Sequence, residues 1–273
     1  MREALEARRV RPKKVHLSSS RRNEERHAIS CGSGPRVRGP RLTAGARARA
    51  RNVTIVLAEE QHLVRRGVRC LLEKESAFMI VGETGDGLEA VKLVQRRRPR
   101  ILVIGVALPG LNGLDVARQV HDRFPATAVV MLSMYSKEQY VARALQNGAS
   151  GYVLKAANPS ELVRAIRHAA VGQQYLSEPL SEESIRERLR RAKTDGPTDL
   201  YETLSDRERE VLQLVAEGYT STRIAARLHI SPRTVETHRA SVMRKMGFSN
   251  LVDVILFAVS RNILPRALGD IRL

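Results

Sequence analysis

The sequence predicts an α/β domain of five parallel strands followed by a smaller all-α domain. Three observations predict it. Short apolar runs alternate five times with amphipathic stretches between residues 53 and 166. From residue 203 to 261 apolar residues recur only at helical spacing. A charged stretch containing the break Asp195-Gly196-Pro197 lies between the two patterns.

Ahead of both, residues 1–51 carry 15 Lys+Arg against 4 Asp+Glu, so most of the chain's net +18 sits there. This segment has no sustained hydrophobic period and is rich in Arg, Gly, Pro and Ser. It cannot bury enough apolar surface to offset chain entropy, so a disordered basic extension is expected. Two readings stay open: a basic arm that attracts phosphate nonspecifically, or an extension upstream of a start near Val53. It has no apolar core of a signal peptide, and Glu3, Glu6, Glu24 and Glu25 weigh against a transit peptide.

Val53–Ala58 (VTIVLA) is the first strand. Leu63, Val64, Gly67, Val68, Leu71 and Leu72 then recur as a helix, with Cys70 read as core filler. Phe78–Gly82 is the second strand, and residues 87–96 a helix with Leu88, Val91 and Val94 inward. Ile101–Ile104 is the third, before a helix carrying Leu114, Ala117 and Val120. Ala128–Leu132 is the fourth, before Tyr140, Val141, Ala144 and Leu145. Gly151–Leu154 is the fifth, before Leu162, Val163 and Ile166. Fully apolar strands alternating with helices imply a parallel sheet covered on both faces, in the flavodoxin-like doubly wound order. The glycines of GETGDG, residues 82–87, miss the dinucleotide-loop spacing and read as an ordinary β–α turn.

Residues 178–202 form a charged linker, with a short helix expected after Ser181 and a hinge at Asp195-Gly196-Pro197. In the final segment Ser205 and Glu208 have capping-box spacing, and Gly218 ends that helix. A short helix to Leu228 follows, then the turn His229-Ile230-Ser231-Pro232, with Ser231 as cap and Pro232 at the first helical position. The next helix runs to about Met246, with Val235, Val242 and Met246 expected in the core. Asn250–Ser260 closes the domain. Two helices joined by a tight turn, the second rich in Arg and Thr, fit a helix-turn-helix whose second helix enters the major groove.

In a doubly wound sheet, chemistry sits at the carboxyl ends of the strands. Those ends carry Glu59 and Glu60, Gly105, Ser133, and Tyr152 with Lys155. The stretches VLAEEQHLVRRGVRCLL, LPGLNGLDVARQV, MLSMYSKEQYVARALQNGASGYVLKA and ELVRAIRHAAVGQQYLS resemble the receiver domain of response regulators. LSDREREVLQLVAEGYTSTRIAARLHISPRTVETHRASVMRKMG resembles the LuxR-type (NarL/FixJ-like) helix-turn-helix. The resemblance implies a receiver-like domain over 52–177 and a DNA-binding domain over 203–265.

The family's receiver works by electrostatics. Acids at the ends of strands one and three hold Mg²⁺, and the strand-three aspartate attacks a phosphodonor. A lysine after strand five neutralises the phosphoryl oxygens, and a strand-four hydroxyl moves toward them with a strand-five aromatic following. Carried over, Lys155, Ser133 and Tyr152 match. Glu59 and Glu60 stand where two acids belong, with longer side chains than usual. Gly105 stands at the phosphoacceptor position, and no Asp lies between Arg100 and Gly110. The resemblance therefore implies an atypical receiver, a pseudo-receiver, with Mg²⁺ binding weak or absent and Lys155 paired with Glu59 or Glu60 instead of phosphate. The case for a sensor-kinase partner weakens accordingly; the alternative is a conventional phospho-activated two-component regulator.

For DNA, the resemblance points to Arg233, Glu236, Thr237, Ala240, Ser241 and Arg244 at base edges and Thr220, Thr222, Thr234, Arg239 and Lys245 at phosphates. It implies a homodimer on a near-palindromic operator, paired through Leu251, Val254, Ile255 and Ala258. A protein that titrates other regulators without binding DNA is the other reading, which the Arg and Thr residues oppose. No nucleophile–base pair, metal cluster or phosphate loop supports an enzyme. No run approaches about 18 apolar residues, and Cys31 and Cys70 lie far apart, so a cytoplasmic protein is expected.

Overall fold

A computed structural model describes residues 52–180, 183–185, 187, 190 and 199–264. The expected extension 1–51, the helix start at Ser181 and the break at 195–197 lie outside the described residues. So does residue 265, the expected end of the DNA-binding domain.

The strands are β1 (Val53–Ala58), β2 (Phe78–Thr84), β3 (Ile101–Gly105), β4 (Ala128–Ser133), β5 (Ala149–Leu154) and β6 (Tyr175–Leu176). Their order is β2-β1-β3-β4-β5-β6, and every pairing is parallel. The doubly wound order is as expected, with one addition. The two-residue β6 is too short to leave a periodic signal, and it extends the sheet past β5 to six strands.

The connecting helices are α1 (His62–Glu73), α2 (Gly87–Arg97), α3 (Gly113–Arg123), α4 (Glu138–Gln146) and α5 (Pro159–Ala170). Alternate residues of each strand face opposite sides. Ile55, Leu57, Ile101 and Val103 pack with Leu72 of α1 and Leu162, Val163 and Ile166 of α5. Val56, Ala58, Leu102 and Ile104 pack under α2, α3 and α4.

The first helix corrects one expectation, that Cys70 fills the core. Leu63 is 85% exposed and Cys70 is exposed, because the inward stripe of α1 runs through half-buried Val64, Val68 and Leu71 to buried Leu72. Helical spacing marks an apolar side broader than the part the sheet covers.

A 3₁₀ turn (Leu200–Thr203) leads into α6 (Asp206–Ala216), α7 (Ser221–Leu228), α8 (Pro232–Met246) and α9 (Leu251–Ser260). Ser205 and Glu208 form the capping box. His229 takes φ 55° at the end of α7, and Ser231 caps α8 with Pro232 in its first turn. These signals set the turn between the two helices. Val235 and Val242 are buried as expected, while Met246 is half-buried. The core beneath α2, α3 and α4 continues into Val211, Leu214, Ile224 and Val254 of the helical region.

Candidate functional site

Parallel strands end together, so the loops beyond them share one edge. There Glu59, Glu60, Ser133, Tyr135 and Lys155 line a cavity of about 310 Å³. Gly105 and Ser133 are the last residues of β3 and β4.

Lys155 Nζ donates to Glu59 Oε1 at 2.7 Å, the ion pair expected from the sequence. Gln61 N–H also donates to Glu59 Oε1, at 3.1 Å. Glu59 is 1% exposed, and its Oε2 has no hydrogen-bond partner among the described residues. Glu60 is half-buried; burial first, then the Glu59 charge, raises its carboxyl above the ordinary range, against Lys155.

Ser133 Oγ accepts from Tyr135 N–H at 3.0 Å. Tyr152 is fully buried and donates to the Tyr135 carbonyl at 2.7 Å, and burial pushes its hydroxyl up to about 12. Tyr135 Oη donates to Asn262 Oδ1 at 3.2 Å, and Asn262 Nδ2 donates to Tyr140 Oη at 2.6 Å. The switch-position hydroxyl and aromatic thus reach the chain just beyond α9.

These residues do not fit a magnesium ion. A hard octahedral cation needs several oxygen ligands. Gly105 offers no side chain, and one oxygen of Glu59 is committed to an ammonium and an amide. Among the described residues no group of three or more His, Cys, Asp or Glu is placed to hold a metal.

The second candidate surface is α8. Arg233, Thr234, Glu236, Thr237, Ala240 and Arg244 are exposed, as is Thr222 on α7. Thr220 caps α7 by accepting from Arg223 N–H at 3.4 Å. Arg239 donates to Ser221 Oγ at 2.8 Å, and Ser221 donates to Glu236. Ser241 and Lys245 turn toward α6, where both bond to the Glu208 carboxylate, at 2.6 and 2.7 Å.

On α9 the expected pairing face is corrected. Val254 and Ala258 are sealed in the domain's own core, at 2% and 0% exposure. Ile255 is half-buried, and the outward apolar residues are Leu251, Val252, Leu256 and Val259. A ten-residue helix with apolar residues on both sides offers two stripes, and spacing alone does not say which one the core takes.

A set of contacts without a sequence signal joins α3 to α6. Arg209 and Asp115 pair at 2.7 Å, each side chain 2% exposed. Arg209 also donates to the Leu204 carbonyl at 3.1 Å and to Glu202 at 2.8 Å. Tyr201 Oη and Asn112 Nδ2 donate to the other oxygen of Asp115. Gln213 accepts from Asn112 N–H at 2.6 Å and donates to the Leu108 carbonyl at 2.8 Å. Gly110, at φ +78°, gives its N–H to Glu217 at 2.8 Å. Arg118 pairs with Asp206 and Arg227 with Asp86. Only the cap spacing of Asn112 to Asp115 is visible locally; it marks a helix start, not a partner 94 residues on.

Comparison with known proteins agrees with this division. Residues 55–167 match the response regulator receiver domain family, and residues 202–258 match the bacterial regulatory proteins of the luxR family. The oxygen regulatory protein NreC of Staphylococcus aureus is 33% identical over 213 residues, spanning 77% of this chain and 98% of NreC. Among solved structures, RcsB of Salmonella enterica serovar Typhimurium bound to a promoter is 25% identical with a TM-score of 0.48. That match covers 77% of this chain and 99% of RcsB. The receiver domain of NarL from Mycobacterium tuberculosis is 31% identical with a TM-score of 0.44, covering 45% of this chain and 98% of that domain.

Proposed function

The chain belongs to the DNA-binding response regulators of the LuxR family, and we propose that it regulates transcription without control by aspartyl phosphorylation. One observation carries this reading: β3 ends in Gly105, which has no atom to take a phosphoryl group. Lys155, which would face that group, is occupied by Glu59. Tyr152, the aromatic that follows the hydroxyl in the family's switch, already lies inside. The input is then a ligand, a partner or the protein's own abundance, and no sensor kinase is required.

The output side supports sequence-specific binding. α8 presents Arg233, Glu236, Thr237, Ala240 and Arg244 outward while Val235 and Val242 anchor it. The receiver holds this domain through α6 and Arg227 of α7. Thr220, Thr222, Thr234 and Arg239 flank the reading face and suit phosphate contacts. Ser241 and Lys245 would first have to leave Glu208. Leu251, Val252, Leu256 and Val259 offer an apolar surface to a second copy, which suits a dimer on a near-palindromic duplex. The domain limits proposed are 52–177 and 203–265, joined by 178–202. The role is regulatory, not enzymatic, and its place is the cytoplasm; no described helix is long and apolar enough to cross a membrane.

The test starts by selecting an operator from a random duplex pool. Affinity and intact mass are then measured with and without acetyl phosphate and Mg²⁺. Both are expected to stay unchanged, and Arg233→Ala is expected to cost about 1–3 kcal/mol of binding. A phosphoryl adduct on the wild-type chain that raises affinity overturns the reading.

A further inference from the structure

We infer that Glu59 is the resident occupant of the degenerate receiver pocket, so that residue 105 is a glycine because the Glu59 carboxylate fills the space its side chain would need. The inference rests on the phosphate-independent reading and deepens it: the pocket is not merely missing an aspartate, it has been refilled from the adjacent strand.

The geometry is specific. β1 and β3 are neighbours, with Ala58 opposite Ile104, so Glu59 and Gly105 follow side by side at the same edge. A Cβ placed on Gly105 would lie 2.5 Å from Glu59 Oε2 and 3.5 Å from its Cδ. Real Cβ contacts essentially never fall below 3.0 Å. The end of a flexible side chain could normally move aside, but this one is held. Glu59 is 1% exposed, and its Oε1 is fixed by Lys155 and by the Gln61 amide. Displacing the carboxylate breaks a buried ion pair, and an uncharged side chain at residue 105 would bring Lys155 no partner in exchange.

The chemistry follows from one methylene. Glutamate is one methylene longer than aspartate, which carries the carboxylate from the end of β1 across to β3. Lys155 therefore keeps an anionic partner even though β3 supplies none. Glu59 Oε2, aimed at Gly105 without a donor, marks the place where an acid on β3 would have stood. Glu59 and Gly105 are thus a coupled pair, and an aspartate cannot return to position 105 until residue 59 is shortened.

The experiment uses the full chain as wild type, Gly105→Asp, Glu59→Asp and the double variant. The midpoint of thermal unfolding is measured without phosphodonor, and intact mass after acetyl phosphate with Mg²⁺. Gly105→Asp alone is expected to lower the midpoint by about 4 °C or more and to take no phosphoryl group. The double variant should regain at least half of that loss. It should also gain mass by one phosphoryl group: a carboxylate oxygen of the aspartate introduced on β3 bonds to phosphorus, while the bond from phosphorus to the acetate oxygen breaks and acetate leaves. Should Gly105→Asp fail to fold, Gly105→Ala crossed with Glu59→Asp asks the same question with a single methyl group. Midpoint losses that simply add, or phosphorylation of Gly105→Asp with Glu59 in place, overturn the inference. A phosphoryl adduct on wild type instead overturns the phosphate-independent reading, and the unfolding cycle still decides the coupling.

Discussion

Two buried ion pairs lie at either side of the receiver, and they are built to different standards. At the strand ends, Lys155 meets Glu59 with one carboxylate oxygen left without a donor and the lysine still 18% exposed. At the α3–α6 junction, Arg209 meets Asp115 with both side chains 2% exposed. There the guanidinium also bonds Leu204 and Glu202 and lies 4.5 Å from the Tyr201 ring centre, while Tyr201 and Asn112 donate to the Asp115 oxygen that Arg209 does not take. Burial would lower the Arg209 pKa, but Asp115 and Glu202 hold it well above the ordinary value. A buried charge pair is costly unless its remaining hydrogen-bonding capacity is met. The junction meets that condition and the pocket does not. The difference teaches that the junction pair is a structural tie between the two domains, while the pocket pair leaves one carboxylate oxygen unmet.

The comparison breaks first at Arg209. Arg209→Ala strands Asp115 in a dry site and is expected to cost about 3–5 kcal/mol of stability, read from urea unfolding. A loss no larger than that of Lys155→Met would place the two pairs on one footing. Lys155→Met sharpens the contrast from the other side. Glu59 keeps the Gln61 amide, and Lys155 already reaches solvent, so a smaller cost of about 1–3 kcal/mol is expected from the same measurement. A loss equal to that of Arg209→Ala would mean the pocket pair is as structural as the junction.

The two regions are also unequally legible in the sequence. The strand ends can be read because each parallel strand is a short apolar run, so its last residue and the next polar one stand out. That locates Gly105, Ser133 and Lys155, and it makes the Lys155–Glu59 pair an expectation. Ser205 with Glu208, and Ser231 with Pro232, are readable because caps act over three or four residues. Arg209 and Asp115 are not, since nothing local joins residues 94 apart in sequence. Spacing misplaces Cys70, Val254 and Ala258 for a related reason. Periodicity reports that a helix has an apolar side, whereas the neighbouring elements decide how much of it is covered. Neither the crowding at Gly105 nor the turn of Ser241 and Lys245 toward Glu208 leaves a trace in spacing.

Glu208 offers a third buried carboxylate against which to place the other two. Burial alone would raise its pKa, but hydrogen bonds from Lys245, Ser241 and Ser205 outweigh that and hold it at about 2. Its folded pKa lies below the unfolded value, so its contribution is complete above about pH 4.5 and disappears as the pH falls toward 2. Glu208→Gln is expected to flatten the acid limb of stability between those values while lowering stability near neutrality. Acid unfolding followed by circular dichroism checks it, and an unchanged acid limb would show that Glu208 is not held as the contacts require.

The smallest effect belongs to Arg227 and Asp86, a pair that crosses the same interface as Arg209 with side chains 29% and 26% exposed. Water reaches both groups, so screening and side-chain entropy offset most of the attraction. Arg227→Ala is expected to cost no more than about 1 kcal/mol, and that cost should shrink as salt is raised from low to near-molar concentration. The Arg209→Ala cost should hold over the same range, because ions do not enter its site. Parallel urea titrations at two salt concentrations separate the two. If both losses fall together with salt, the junction is wetter than its burial implies, and the tie between the domains would rest on its apolar contacts instead of on the Arg209–Asp115 pair.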